Sequence, residues 1–298
     1  MSTPERLAGQ FEQHRSHVRA VAYRILGSVG EADDAVQEAW LRMSRADVSG
    51  VENLRAWLTT VVSRICLDML RTRASRREDP LDVHVPDPIV RPIGRESAGP
   101  EKDAMLADSV GLALLVVLER LDPAERLAFV LHDVFGMSFD EIAPVVDRSV
   151  DATRQLASRA RRRVQGQTPS SDADLRKQRS VVDAFLAAVK DGDFARLVDV
   201  LHPDIVLRAD GGAAKSMSRV VRGAQAVMAQ AEAFSKAQLS SQVVLVNDSV
   251  GVISRLPDGR ILSVIAFTIE EGRVIGMDIL ADPDRIARLD LSALDPAP

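Results

Sequence analysis

Apolar positions recur at three- and four-residue steps through the first part of the chain, and strand-like runs dominate its last third. Leu7, Phe11, His14, Val18, Ala22 and Ile25 mark one helical face that ends at Gly27, and Ala32, Val36, Ala39, Trp40 and Met43 mark a second. A third helix turns Trp57, Leu58, Val61, Val62, Ile65 and Met69 inward and leaves a polar stripe of Thr60, Arg64, Asp68 and Arg71. Further on, Val110, Leu114, Val117, Leu118 and Leu121 predict another helix. Asp122, Pro123 and Glu125 then supply an N-cap, a proline at N1 and an acid at N3 for a helix that carries Leu127, Val130, Leu131 and Val134 and stops at Gly136. Ser138 and Glu141 form a capping box for a short helix with Ile142 and Val145. Asp147 takes the turn, where a short polar side chain tolerates left-handed backbone. Ser149 caps a final helix with Ala152, Leu156, Ala160 and Val164 on one face. A short helix, a tight turn and a longer arginine-rich helix make a helix-turn-helix pattern.

The character changes after residue 174. One helix with Val181, Val182, Phe185, Leu186 and Val189 ends at Asp191-Gly192-Asp193, and a second covers about Ala224 to Ala237. Strands are predicted over 205–208, 242–247, 250–255, 261–269 and 274–280, punctuated by Asn247-Asp248, Pro257-Asp258-Gly259 and Glu271-Gly272. The fold class is therefore multidomain: two all-α modules, the second with the helix-turn-helix, followed by an α+β domain. Boundaries fall at 1–77 and 104–166 for the helical modules and 175–298 for the α+β domain. A linker over 78–103 holds Pro80, Pro86, Pro88, Pro92 and Pro100, which favour extended chain, and a short polar one covers 167–174.

Composition narrows the function classes. The longest apolar run, Leu112 to Leu118, is far short of the roughly 20 residues of a bilayer-spanning helix, and the first residues lack a secretory apolar core, so a cytoplasmic protein is expected. A single cysteine, Cys66, excludes an internal disulfide and a cysteine-based zinc site, and no metal or cofactor is expected. The formal net charge of -5 suits a free-standing DNA binder poorly, because duplex affinity is dominated by phosphate neutralisation. Positive charge is instead bunched at Arg71, Arg73, Arg76 and Arg77 and again at Arg159 and Arg161 to Arg163. That pattern fits a protein that touches nucleic acid while riding on a larger partner.

The stretches Asp33 to Leu41, Arg55 to Arg64 and Asp68 to Arg71 resemble domain two of extracytoplasmic-function (ECF) sigma factors, and Phe129 to Arg163 resembles their domain four. An acidic run such as Glu31, Asp33, Asp34 and Glu38 is ordinarily a solvated helix face. The resemblance implies instead that Asp33, Asp34, Gln37, Glu38 and Trp40 dock onto core RNA polymerase, at the coiled coil of its largest subunit, with the polymerase flap as a further contact. It further implies that the Ser44 to Asn53 loop holds a flipped base, while Thr60, Arg64, Arg71, Arg73, Arg76 and Arg77 approach the melted minus-10 element. On the second helix of the helix-turn-helix, Arg148, Ser149, Asp151, Arg154, Gln155 and Arg159 are placed to read minus-35 promoter DNA. Arginine can take guanine O6 and N7, and Arg162 with its neighbours can bind phosphates.

The last domain resembles the SnoaL-like, cone-shaped α+β fold, in which a curved sheet encloses a pocket. ECF members carrying this fusion often have Trp-Leu-Pro-Glu-Pro in the linker, where this chain has His84-Val85-Pro86-Asp87-Pro88. Their Asp-Gly-Gly-Gly-Lys motif is matched by Asp210-Gly211-Gly212-Ala213-Ala214-Lys215, and their Asn-Pro-Asp-Lys-Leu by Asp282-Pro283-Asp284-Arg285-Ile286. The resemblance implies that Pro86, Pro88, Asp210, Gly211, Gly212, Lys215, Asp282, Pro283 and Asp284 tie this domain to regulation in cis, replacing a separate anti-sigma factor. The alternative is a small-molecule sensor or enzyme with attached DNA-binding modules. Against turnover, the sole histidine beyond His132 is His202, in a Leu-His-Pro turn where capping or packing is the expected role.

Overall fold

A computed structural model describes residues 3–75, 83–94, 111–165 and 174–294. The chain divides into two compact units, one of residues 1–79, 97–110 and 117–167, the other of 80–96, 111–116 and 168–298.

In the helical unit, α1 (Thr3–Leu26), α2 (Val29–Arg45) and α3 (Leu54–Ser75) pack pairwise. Gly27 closes α1 at φ +70, and the Ser28 hydroxyl accepts from the Glu31 N–H to start α2. Helix α3 is buried more widely than its pattern predicts. Leu58, Thr59, Val62, Ser63, Ile65, Cys66, Leu67 and Leu70 are all covered, whereas Trp57, Val61 and Met69 are half-buried. The reason is tertiary: α3 also packs against α5 (Pro123–Phe129) and α6 (Phe139–Val146) of the second module. Helix α4 (Leu112–Leu118), of which only Val117 and Leu118 group with this unit, precedes these in the chain, and α5 widens into one π turn over Val130–Val134 before Gly136 reverses the chain at φ +68. Helix α7 (Val150–Gln165) completes the module.

The second unit is a seven-stranded sheet ordered β1-β4-β5-β6-β7-β2-β3. Its strands are β1 (Val90–Arg91), β2 (Leu201–Asp210), β3 (Arg219–Arg222), β4 (Ser240–Val246), β5 (Ser249–Arg255), β6 (Ile261–Glu270) and β7 (Arg273–Leu280). All neighbours are antiparallel except β2 with β7. Helices α8 (Leu175–Asp191) and α10 (Ala224–Ser235) cover one face, and the core gathers Val182, Phe185, Leu207, Val252, Phe267 and Met277 between them and the sheet. Short α9 (Leu197–Val200) leads into β2, and α11 (Pro283–Ile286) follows β7. The predicted hairpin turns are present, with Asn247, Asp248, Gly259, Glu271 and Gly272 all at positive φ.

The unit boundaries differ from the sequence reading in two places, and one is that residues 111–116, expected in the second helical module, group with the sheet unit. The middle of the proline-rich segment is not a free linker, because residues 83–94 belong to the sheet unit and contribute β1 to its edge. Two residues inside a proline run carry no alternation, so β1 has no sequence signal of its own.

Candidate nucleic-acid interface and linker clasp

The helix-turn-helix is built by local chemistry. The Ser138 hydroxyl accepts from the Glu141 N–H at 3.3 Å while the Glu141 carboxylate accepts from the Ser138 N–H at 2.9 Å, a completed capping box. Those bonds hold the Glu141 carboxyl below the usual range. Asp147 is left-handed at φ 56, and the Ser149 hydroxyl accepts from the Ala152 N–H at 3.2 Å. The buried stripe of α7 is Thr153, Ala157, Ala160 and Val164, one position round from the predicted face, with Ala152 and Leu156 half-buried at its border.

This rotation leaves Arg148, Asp151, Arg154, Gln155, Ser158, Arg159 and Arg162 exposed. Arg154 ion-pairs with Asp151 at 2.8 Å, and its guanidinium lies 5.8 Å from the Phe139 ring. Arg148 donates to its neighbour's carbonyl, that of Asp147, at 2.7 Å. Arg159, expected at promoter DNA, is also ion-paired within the module. Glu125, 3% exposed, takes Arg159 at 2.7 Å and Arg163 at 2.8 Å, and Arg161 pairs with Asp133 at 2.6 Å. A buried carboxylate needs charge compensation, so much of the basic cluster fastens α7 to α5 and Arg162 is left facing solvent.

The minus-10 candidates divide in the same way. Arg71 is exposed and 3.9 Å from Asp68, and Thr60 is half-buried. Arg64 donates to the Pro144 carbonyl at 3.2 Å and does not pair with Asp68. Arg73, expected on a melted strand, is turned inward: it pairs with Glu31, donates to the Leu26 carbonyl at 3.3 Å and lies 3.4 Å from the nearly buried Glu119. Arg76 and Arg77 lie outside the described residues. On α2, Asp34 and Gln37 are exposed, whereas Asp33 is bound by Arg19 at 3.0 Å and Glu38 by Arg42 at 2.9 Å. Trp40 packs on Phe11 with ring centroids 5.3 Å apart, which gives it a core role.

In the sheet unit, two separated segments converge on Arg285. Its guanidinium donates to Asp87 at 2.7 Å, to Asp210 at 2.7 Å and to the Val85 carbonyl at 2.6 Å. Asp210 also accepts from the Val85 N–H at 3.0 Å and from the Gly212 N–H at 3.0 Å, and it lies 3.1 Å from His84 Nδ1. Burial pushes the Asp210 carboxyl up, but His84, the Val85 N–H and Arg285 outweigh it and hold the group well below the usual carboxylate range. Pro86 and Pro88 are buried. Gly212, at φ +55, passes so close to Asp282 that a Cβ there would sit 2.0 Å from its carboxylate oxygen. Asp282 in turn caps α11 through the Asp284 and Arg285 N–H groups, which fixes Arg285 in place.

Farther along the strap, Ile89 and Asn247 exchange two bonds, N–H of Ile89 to the Asn247 side chain at 3.0 Å and N–H of Asn247 to the Ile89 carbonyl at 2.9 Å, and Arg91 pairs with Asp248. His84 makes a polar contact to Asp210 at the start of the strap. Lys215 is exposed with no side-chain partner among the described residues, and Pro283 and Asp284 are exposed. The residues missed from the sequence were Arg285, Asn247 and Asp248. Arg285 stood inside a noted motif, whereas the other two read only as hairpin punctuation. His202 bonds locally, its Nδ1 accepting from the Asp204 N–H at 3.1 Å.

A three-helix module joined to a helix-turn-helix module defines the class of sigma-type transcription initiation factors. The family model for sigma-70 region 2 matches residues 10–76 and that for sigma-70 region 4 matches 111–164. The chain is 40% identical over 290 residues to the ECF RNA polymerase sigma factor SigJ of Mycobacterium tuberculosis, covering 93% of this chain and 92% of the relative. It is 34% identical over 292 residues to the probable ECF sigma factor SigI of the same organism, covering 96% and 97%. The crystal structure of M. tuberculosis SigJ superposes with a TM-score of 0.75 at 36% identity, over 95% of this chain and 99% of that one. The chain belongs to the ECF RNA polymerase sigma factors, and its function is promoter-directed transcription initiation. Its sheet unit is SnoaL-like. No helix among the described residues is long and apolar enough to cross a membrane.

Proposed function

We propose that the chain acts in the cytoplasm as an alternative sigma factor whose C-terminal unit regulates it in cis through the strap at 83–94, without a separate anti-sigma factor and without turnover of a substrate. Core RNA polymerase is the partner, met by the exposed side of α2 at Asp34 and Gln37, with Asp33 and Glu38 exchanging their present arginine partners for the polymerase's. Promoter DNA is met by Arg64 and Arg71 on α3 and by Arg148, Arg154, Gln155 and Arg162 on α7. Arg73 and Arg159 act as fasteners. The observation that carries the regulatory half is the Arg285 cluster, which binds Asp87 and the Val85 carbonyl of the segment joining the two helical modules. Because both modules are joined through that segment, docking it restricts how far they can separate on a promoter.

Runoff transcription with core polymerase tests this reading. The chain should confer initiation at a defined promoter, and core enzyme unaffected by its addition would reject the proposal. In the same assay Arg154→Ala should cost roughly 1–3 kcal/mol of discrimination at one base pair of the minus-35 element, as expected for loss of a bidentate base contact. A uniform loss over all minus-35 sequences would assign Arg154 to phosphate instead.

A further inference from the structure

We infer that Phe139 is a positioning residue for promoter reading: stacked on His132, it forms a two-ring shelf that, together with Asp151, sets the Arg154 guanidinium for one base pair of the minus-35 element. The inference rests on the minus-35 role proposed for Arg154 and adds how that side chain is held before DNA arrives.

The shelf begins at the π turn that follows α5. His132 lies in that turn, and its Nδ1 donates to the Met137 carbonyl at 2.9 Å, since a carbonyl can only accept. The bond spans the reversal at Gly136 and ties the ring to the chain that enters α6. Phe139, one residue past the capping Ser138, opens α6 and stacks on His132 with ring centroids 3.9 Å apart and planes inclined by 28°. Both rings are half-buried.

Arg154, early in α7, holds its guanidinium carbon 5.8 Å from the Phe139 ring centroid, within the range of a cation–π contact. Its Nη1 donates to Asp151 at 2.8 Å. The two side chains are 55% and 86% exposed, so their ion pair alone is weak and is screened by salt. The ring adds a fixed surface that salt does not remove. A cation–π contact engages the face of a guanidinium and leaves its edge available. Nε and Nη2 of Arg154 have no partner among the described residues, and two adjacent N–H groups are what guanine O6 and N7 accept.

Order is the energetic point. An arginine side chain has large rotamer entropy, and immobilising it on a base subtracts from the contact it makes. That loss arises only with a base pair that Arg154 can engage, because a mismatched pair leaves the side chain loose. A shelf that orders Arg154 in the free protein therefore raises discrimination without adding a base contact of its own.

Runoff transcription by the full chain with core polymerase, on templates in which each minus-35 base pair is varied in turn, tests the shelf. At the base pair where Arg154→Ala lowers selectivity, Phe139→Leu should lower it about fivefold, the upper end for an exposed cation–π contact, and leave the other positions unchanged. Phe139→Met serves should the leucine variant fail to fold. Phe139→Tyr, which keeps the ring, should retain the parent's selectivity. In an Arg154→Ala background, Phe139→Leu should change selectivity no further, because the ring acts through that arginine. An equal fall on every template would make Phe139 a packing residue and overturn the inference, as would a Phe139→Leu profile that matches the parent while Arg154→Ala flattens it. A profile left intact by Arg154→Ala itself would instead remove the minus-35 role of Arg154, and the shelf with it.

Discussion

Arg285→Ala lowers the stability of the sheet unit by about 3 kcal/mol and releases the strap, because it strands two buried carboxylates that share one cation. The Asp87 and Asp210 side chains are each 9% exposed and Arg285 is 16% exposed, so water replaces the lost partner poorly. The readout is amide exchange at Val85 and Ile89, whose N–H groups donate to Asp210 and Asn247 at 3.0 Å each. Exchange at Val85 should accelerate about a hundredfold, the equivalent of roughly 3 kcal/mol. Ile89 should follow less strongly, because Asn247 and the Arg91–Asp248 pair still hold it. Unchanged exchange at Val85 would remove Arg285 from its assigned role.

The sign of the pH dependence follows from Asp210. Its folded pKa is depressed, so its contribution is fully present above the ordinary carboxylate value of about 3.9 and fades only as pH falls through the lower folded value. Asp87, His84 and Arg285 are the other ionisable groups at the cluster. The part of strap protection owed to Asp210 should therefore be flat between about pH 8 and pH 5. In transcription, the same arginine variant should shift promoter activity, while a strap set free with no effect on transcript yield would separate docking from regulation.

The second large effect belongs to the helical unit. Glu119→Ala should cost about 3–5 kcal/mol, since it leaves Arg126, 2% exposed, as a buried charge without its carboxylate 2.9 Å away. Arg73 loses one acidic neighbour too and keeps Glu31. The double variant Glu119→Leu/Arg126→Met should return to within about 1 kcal/mol of the parent, because replacing both members of a buried pair by apolar groups is often neutral or better. Chemical denaturation followed by helical circular dichroism measures both, and a double variant as unstable as the single one would show that the pair supplies net stability. Because Arg73 and Glu119 come from different modules, the single variant should also loosen α3 against α5 and α6.

The sequence by itself determined the elements whose signals are local. Capping at Ser138, Glu141 and Ser149, the left-handed Asp147 and the hairpin turns at Asn247, Glu271 and Gly272 all follow from side chains bonding or freeing their own backbone within a few residues. The family motifs belong here as well, since they are read residue by residue. What only the tertiary structure decided is which charges are already occupied. Arg154 and Arg159 look alike in the sequence, yet one rests on an exposed aspartate and the other on a buried glutamate 34 residues away. Arg73 and the 83–94 segment tell the same story: a cation turned inward by Glu31 and a proline run made into an edge strand by Asn247 and Arg285. Partners so distant along the chain are chosen by packing and desolvation, and neither quantity has a period or a motif that a linear sequence can display.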